Sequence, residues 1–212
     1  MSHKNSSKLS DHESINKLSR RGRPAASIDK MLDAAEQLFS EDRDQQTVTM
    51  DEVAGHAGVG KGTLFRAFGS REGLLDALWG RKLTGLRASF EQSDQNLTAA
   101  ERLESFFDQL LLVKITNGYL IRAREISPGS VLKSENYRWM LSVASGLIRQ
   151  IVGQSETAQA EYIAHALLAT LHIDLIDELL ATGRTLQDIR NLQQQHIRQW
   201  TGEKGSDTSD GM

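Results

Sequence analysis

Between residues 27 and 200 the hydrophobic positions recur mostly at three- and four-residue spacing, the period of amphipathic helices. Strand-like alternation is confined to the short Thr47-Val48-Thr49. The first predicted helix covers residues 27–40 and places Ile28, Met31, Leu32, Ala35, Leu38 and Phe39 on one stripe. A polar break over residues 41–46 follows. Thr49-Met50-Asp51-Glu52 then has the form of a capping box, in which the Thr49 hydroxyl accepts from the Glu52 amide and the Glu52 carboxylate reaches back. It opens a short helix carrying Val53, Ala54 and Ala57, and Gly58 suits the left-handed turn that ends it. A second short helix starts near Gly60 with Leu64, Phe65 and Phe68, Gly69 closes it, and Ser70 caps a longer helix over residues 71–92.

Further helices are predicted over residues 98–117, 118–126, 133–152, 155–182 and 186–200, with breaks at Pro128-Gly129 and Gly183-Arg184. The expected fold is all-α: a three-helix helix-turn-helix domain over 25–85, with its motif at about 48–67, joined to a helical bundle over 86–201. Residues 1–24 and 202–212, rich in small polar and charged residues, are expected to be a disordered arm and a flexible tail.

Composition changes this picture only at the margins. Hydrophobic residues are 39% and charged residues 25%, an ordinary globular balance. With no cysteine, a disulfide framework and a zinc–cysteine site are both excluded. No apolar run approaches the roughly 18–20 residues of a membrane span, and residues 1–17 lack the apolar stretch of a secretory signal. A cytoplasmic protein without a membrane partner is the expectation. Net charge is −3 and the pI about 6.1, which taken alone argues against nucleic-acid binding. Distribution matters more than the sum. Lys17, Arg20, Arg21 and Arg23 form one basic cluster, and Lys61, Arg66, Arg71, Arg81, Lys82 and Arg87 form a second, interrupted only by Glu72 and Asp76. Such patches can hold phosphates while the whole stays soluble.

The stretch from Thr49 to Phe68 carries the functional signal. Two short helices joined by a tight turn, with small Ala54 and Ala57 at their approach and Val59, Leu64 and Phe68 facing the first helix, present the second helix outward. Its outer residues are then Gly60, Lys61, Gly62, Thr63, Phe65 and Arg66. Two glycines, a lysine and a hydroxyl at a helix start suit close approach to a phosphate backbone. Phe65 beside Arg66 suits thymine methyls or sugars.

Those residues resemble the tetracycline-repressor (TetR) family of transcriptional regulators. The likeness lies in Ala34-Ala35-Glu36-Gln37-Leu38-Phe39, Val48-Thr49-Met50-Asp51-Glu52-Val53-Ala54, Ala57-Gly58-Val59-Gly60-Lys61-Gly62-Thr63-Leu64-Phe65 and Phe68-Gly69-Ser70-Arg71-Glu72-Gly73-Leu74-Leu75, over about residues 25–85. Gly60 stands where the family often has serine and Phe65 where it usually has tyrosine. The usual glycine after the first helix is replaced by Glu41-Asp42-Arg43-Asp44. The resemblance implies phosphate contacts from Thr49 and Arg71 and major-groove contacts from Lys61, Gly62, Thr63, Phe65 and Arg66. It also implies a homodimer on double-stranded operator DNA, and repression as the usual direction. Arg21 and Arg23, with Arg20, are candidates for a minor-groove arm; a solvated tail is the competing reading.

Rival chemistries fit less well. Gly55-His56-Ala57-Gly58-Val59-Gly60-Lys61 matches most of a phosphate-binding loop. Gly62 stands where Ser or Thr must bind magnesium, however, and no strand precedes it. His165 and His172, seven apart on one predicted helix with Asp174 nearby, lack the four-residue spacing and third ligand of a metal site. An interaction module without DNA binding leaves the outward Gly-Lys-Gly-Thr unexplained. No catalytic residue, metal or cofactor is therefore expected.

In the second half, wide apolar faces suggest a bundle that encloses a small-molecule effector. Phe107, Tyr119, Arg122, Tyr137, Met140 and His165 are the candidate lining residues. Arg122, Arg124 and Glu125 read mainly as solvated charges, with contact to an anionic effector as the alternative. The last two helices are expected to pair across a dimer through Ile163, Leu167, Leu171, Leu175, Ile189, Leu192 and Ile197.

Overall fold

The computed structural model describes residues 25–41, 47–92, 96–125, 131–153 and 155–201, and among them there are ten α-helices and no strand. Arg21 and Arg23, both predicted tails and the Pro128-Gly129 break lie outside the described residues. The N-terminal unit consists of α1 (Ala25–Ser40), α2 (Met50–His56) and α3 (Lys61–Phe68), backed by the long α4 (Arg71–Glu91). Behind it stand α5 (Ala99–Thr116), α6 (Gly118–Glu125), α7 (Glu135–Val152), α8 (Thr157–Ala169), α9 (Ile173–Ala181) and α10 (Leu186–Thr201).

Several of the helix starts have a local cause. Thr98 with Glu101 forms a second capping box, and the Thr185 hydroxyl accepts from the Asp188 amide ahead of α10. Ser70 and Ser134 accept from the amides of Gly73 and Tyr137, so α7 begins at Glu135, two residues later than the periodicity predicts. Such caps are worth about 0.5–2 kcal/mol each.

The apolar stripes meet in one continuous core. Met31, Ala35 and Phe39 of α1 close over Val53 and Leu64, and Leu74 and Leu78 of α4 seal the base. α4 then carries the core onward through Trp79 and Leu83 to Phe106 and Phe107 of α5. α7 packs between α5 and α8, while α10 lies along α5. There Arg190 grips Asp108 at 2.6 Å and Arg198 grips Glu104 at 2.8 Å, both through paired guanidinium nitrogens.

Two expectations are corrected. The helix predicted over residues 155–182 is broken at residues 170–172 into α8 and α9. No Gly or Pro marks the break. The buried Lys114 of α5 donates to the Leu171 carbonyl at 2.5 Å, giving that carbonyl a partner outside the helix. His165 and His172 therefore belong to different elements. Most of the predicted dimer stripe is also internal: Ile163, Leu167, Leu171, Ile189 and Ile197 are buried in the protomer's own core. The strongest apolar stripe of an amphipathic helix goes first to its own chain. Only Leu175 and Leu192 of that set are exposed, and Tyr162, Leu180 and Trp200 are exposed with them.

Candidate nucleic-acid interface

The helix-turn-helix is set by backbone chemistry at both ends of α2. The Thr49 hydroxyl accepts from the Glu52 amide at 3.2 Å, and the Glu52 carboxylate accepts from the Thr49 amide at 2.8 Å, completing the predicted box. At the other end Gly58 takes a φ of 64°, in the left-handed region that favours glycine. The chain reverses there and brings α3 across α2.

Leu64 is the only fully buried residue of α3, with Val59 and Phe68 half-buried on either side. That single anchor fixes which face turns out. Gly60, Lys61, Gly62, Phe65 and Arg66 are exposed and Thr63 is half-buried. Phe65 leaves 38% of its surface exposed, unusual for a phenylalanine in so small a unit. A Cβ on Gly62 would meet nothing within 4 Å. The protein's interior thus makes no demand for glycine there, although glycine weakens a helix. Lys61 lies across the surface, its Nζ 2.8 Å from Asp51 and 5.9 Å from the centre of the Phe65 ring. Both partners of that ion pair are exposed, so it is a weak tether.

The rest of the second basic cluster does not gather on this face. Arg71 turns inward: its Nε donates to the Val48 carbonyl at 3.2 Å and an Nη to the Ala123 carbonyl of α6 at 3.4 Å, with its guanidinium over the Phe39 ring. A phosphate contact expected from Arg71 would require leaving those partners. Arg81 and Lys82 pair with Glu36, and Arg81 also with Asp33 at 2.6 Å. Burial works against ionising Glu36, but the hydrogen bonds from Lys82 and Arg81 outweigh it and hold the carboxyl below its usual range. Arg87 stacks on Trp139 and donates to Asn136 at 3.0 Å. Counting acids only between residues 61 and 87 missed these partners. The signal was Asp33 and Glu36, three apart on one face of α1.

Behind the N-terminal unit, α4 is tied to the bundle around Asp76. Arg124 of α6 donates to the Asp76 carboxylate at 2.5 Å, and Asn136 of α7 to the Asp76 carbonyl at 2.8 Å. Next to this junction lies a cavity of about 200 Å³, whose lining includes Trp79, Lys114, Arg124, Tyr137, Met140 and Leu171. Tyr137 and Met140 were predicted to line such a space. The other candidates stand elsewhere or one layer back. Phe107 is fully buried in the core, edge-on to Phe106 at 5.6 Å. Tyr119 is half-buried, and burial, reinforced by the charge of Glu36, raises its pKa. Arg122 is exposed and paired with Asp177 at 2.9 Å. His165 stacks on Tyr137 and shares a 2.7 Å hydrogen bond with its hydroxyl. Missed were Trp79, Lys114 and Leu171. Arg124, read mainly as solvated, is buried. Charge on an otherwise apolar helix face is the trace that Lys114 and Arg124 leave in sequence, and Trp79 and Leu171 leave none.

Three small helices with the second of a tight pair turned outward, carried on an all-α bundle, define a helix-turn-helix fold. Residues 31–78 match the family of bacterial regulatory proteins, tetR family. Two uncharacterized HTH-type transcriptional regulators of Mycobacterium tuberculosis are each 46% identical over 55 residues, 26% of this chain and 27% of theirs. The match thus spans about a quarter of the relatives' length. Among solved structures, a TetR transcriptional regulator from Rhodococcus sp. RHA1 aligns with TM-score 0.60 at 18% identity, covering 87% of this chain and 98% of that one. A TetR-like transcriptional regulator from the same strain gives 0.56 at 20% identity, covering 87% and 100%. The N-terminal unit of the chain thus resembles the tetR family, and the chain as a whole shares the fold of these solved structures.

Proposed function

We propose that the chain is a homodimeric transcriptional repressor that reads a palindromic operator through α3 and lets go when a small molecule enters the cavity behind α4. The observation that carries this reading is the outer face of α3. An exposed Phe65 and a glycine with no internal cause are costs to an isolated protein, and both become useful when a phosphate backbone and base edges come within reach. Lys61 exchanges its weak tether to Asp51 for a phosphate. Gly60 and Gly62 admit the backbone, Thr63, Phe65 and Arg66 meet the groove, and the Thr49 region touches the flanking strand. Arg21 and Arg23 serve as an arm in the minor groove. Arg71 acts first as a brace between Val48 and Ala123, and its phosphate contact is secondary.

Release follows from the ties on α4. Arg71 holds the carbonyl of Ala123, and Arg124, the next residue, holds Asp76. A ligand that moves α6 therefore moves α4 and the unit it carries. A differential affinity worth about 1–3 kcal/mol between the two arrangements is enough for regulation. The dimer forms through the outer faces of α8, α9 and α10, where Tyr162, Leu175, Leu180, Leu192 and Trp200 are exposed. The setting is cytoplasmic, no catalytic step is involved, and among the described residues no helix is long and apolar enough to cross a membrane.

Selection of bound duplexes from a random pool by the purified protein tests the reading. A two-fold symmetric consensus is expected. Recovery of unselected sequence would remove the operator, and with it the repressor.

A further inference from the structure

Building on the reading of this cavity as the effector site, we propose that its ligand is a small organic monoanion: a carboxylate on a compact apolar body. Two cations, Lys114 and Arg124, are each 8% exposed and line one space of about 200 Å³. Among the described residues that line it there is no carboxylate, and the Asp76 carboxylate meets Arg124 from outside the lining. The third donor is Trp79. Its side chain is fully buried, lines the same space, and its indole N–H has no hydrogen-bond partner among the described residues. A buried donor without an acceptor is destabilising, and hydrogen bonds to a charged acceptor are the strongest replacement. The rest of the wall is mostly apolar, with Leu110, Met140 and Leu168, and Tyr137 and His172 add two polar groups.

The chemistry of that wall selects by charge and size. A cationic ligand meets like charge from both Lys114 and Arg124. A neutral ligand of the same shape fills the space but offers the Trp79 N–H no charged acceptor. The volume is below the roughly 300–1,000 Å³ usual for drug-sized ligands, so the apolar body is short. The cations also place the ligand where it matters for release. Lys114 holds the Leu171 carbonyl at the break between α8 and α9, and Arg124 holds Asp76 of α4. A carboxylate arriving at Arg124 competes directly with Asp76 and loosens α6 from α4.

The test is calorimetric titration of the full chain with octanoate and 3-phenylpropanoate, each beside the alcohol and the amine of the same skeleton. At least one carboxylate should bind about tenfold or more tightly than its alcohol, and neither amine should bind. Trp79→Phe keeps the ring but removes the N–H, and should weaken carboxylate binding several-fold while leaving the alcohol unchanged. Lys114→Met should abolish the preference for the anion. If that variant does not fold, Trp79→Phe carries the test alone. Equal affinity for carboxylate and alcohol, no binding of either carboxylate, or a Trp79→Phe variant that weakens both ligand types alike overturns the proposal. Retention of the selected duplex is measured in parallel. A carboxylate that binds with the expected preference yet leaves DNA retention unchanged sustains the ligand class and refutes the release mechanism.

Discussion

Gly62 separates the needs of folding from those of binding. Nothing stands within 4 Å of where its Cβ would be, so alanine fits without displacement. Alanine in a helix is favoured over glycine by about 0.5–1 kcal/mol. Gly62→Ala should therefore raise the midpoint of denaturant unfolding while lowering operator affinity, because in the proposed function the added methyl stands where the DNA backbone approaches. A variant more stable and equally tight on DNA would deny Gly62 its place at the interface. At this scale much was legible. The outer residues of α3 follow from the single anchor Leu64 and helical spacing. What sequence could not show was orientation away from the helix. Arg71 and Lys61 look alike as isolated cations, yet one is drawn inward by the carbonyls of Val48 and Ala123 and the other stays on the surface.

Among the elements, α4 ties the two parts of the chain together. On one side Arg81 and Lys82 clamp Glu36 of α1, and on the other Asp76 holds Arg124 and Asn136. Because the folded-state pKa of Glu36 is lowered, its contribution to stability is present above the unfolded carboxyl value near 4.5 and is lost as pH falls through the folded value. Glu36→Gln should thus unfold at lower temperature than the parent at pH 7, and the gap should narrow on acidification below about 4.5. A constant gap from pH 7 to pH 3, followed by differential scanning calorimetry, would mean that the clamp contributes packing and no charge. Element existence was largely readable from periodicity and capping residues; Thr49, Ser70 and Thr98 each announce a helix. The break between α8 and α9 was not, because the partner of its Leu171 carbonyl is Lys114, 57 positions away. Long-range hydrogen bonds leave no local trace.

For the whole molecule, the buried stripes of α8 and α10 correct the choice of dimer contacts. Periodicity reports which face is most apolar, and that face is occupied by the protomer's own core. What remains for a second copy is the weaker outer face, with Tyr162 at 69% and Leu192 at 44% exposure. A charge there should split the proposed dimer without unfolding the chain. Leu192→Asp should sediment as a monomer with unchanged helical circular dichroism, while Ile189→Asp, buried, should lose the helical signal. A dimeric Leu192→Asp would move the interface elsewhere. The central claim remains that α3 lies outermost and enters a groove. Its most direct test is an equilibrium titration of the selected duplex at several salt concentrations, with the parent chain and with Lys61→Ala. The prediction is weaker binding and a salt slope reduced by about 1, one phosphate contact fewer. Identical affinity and slope would contradict it.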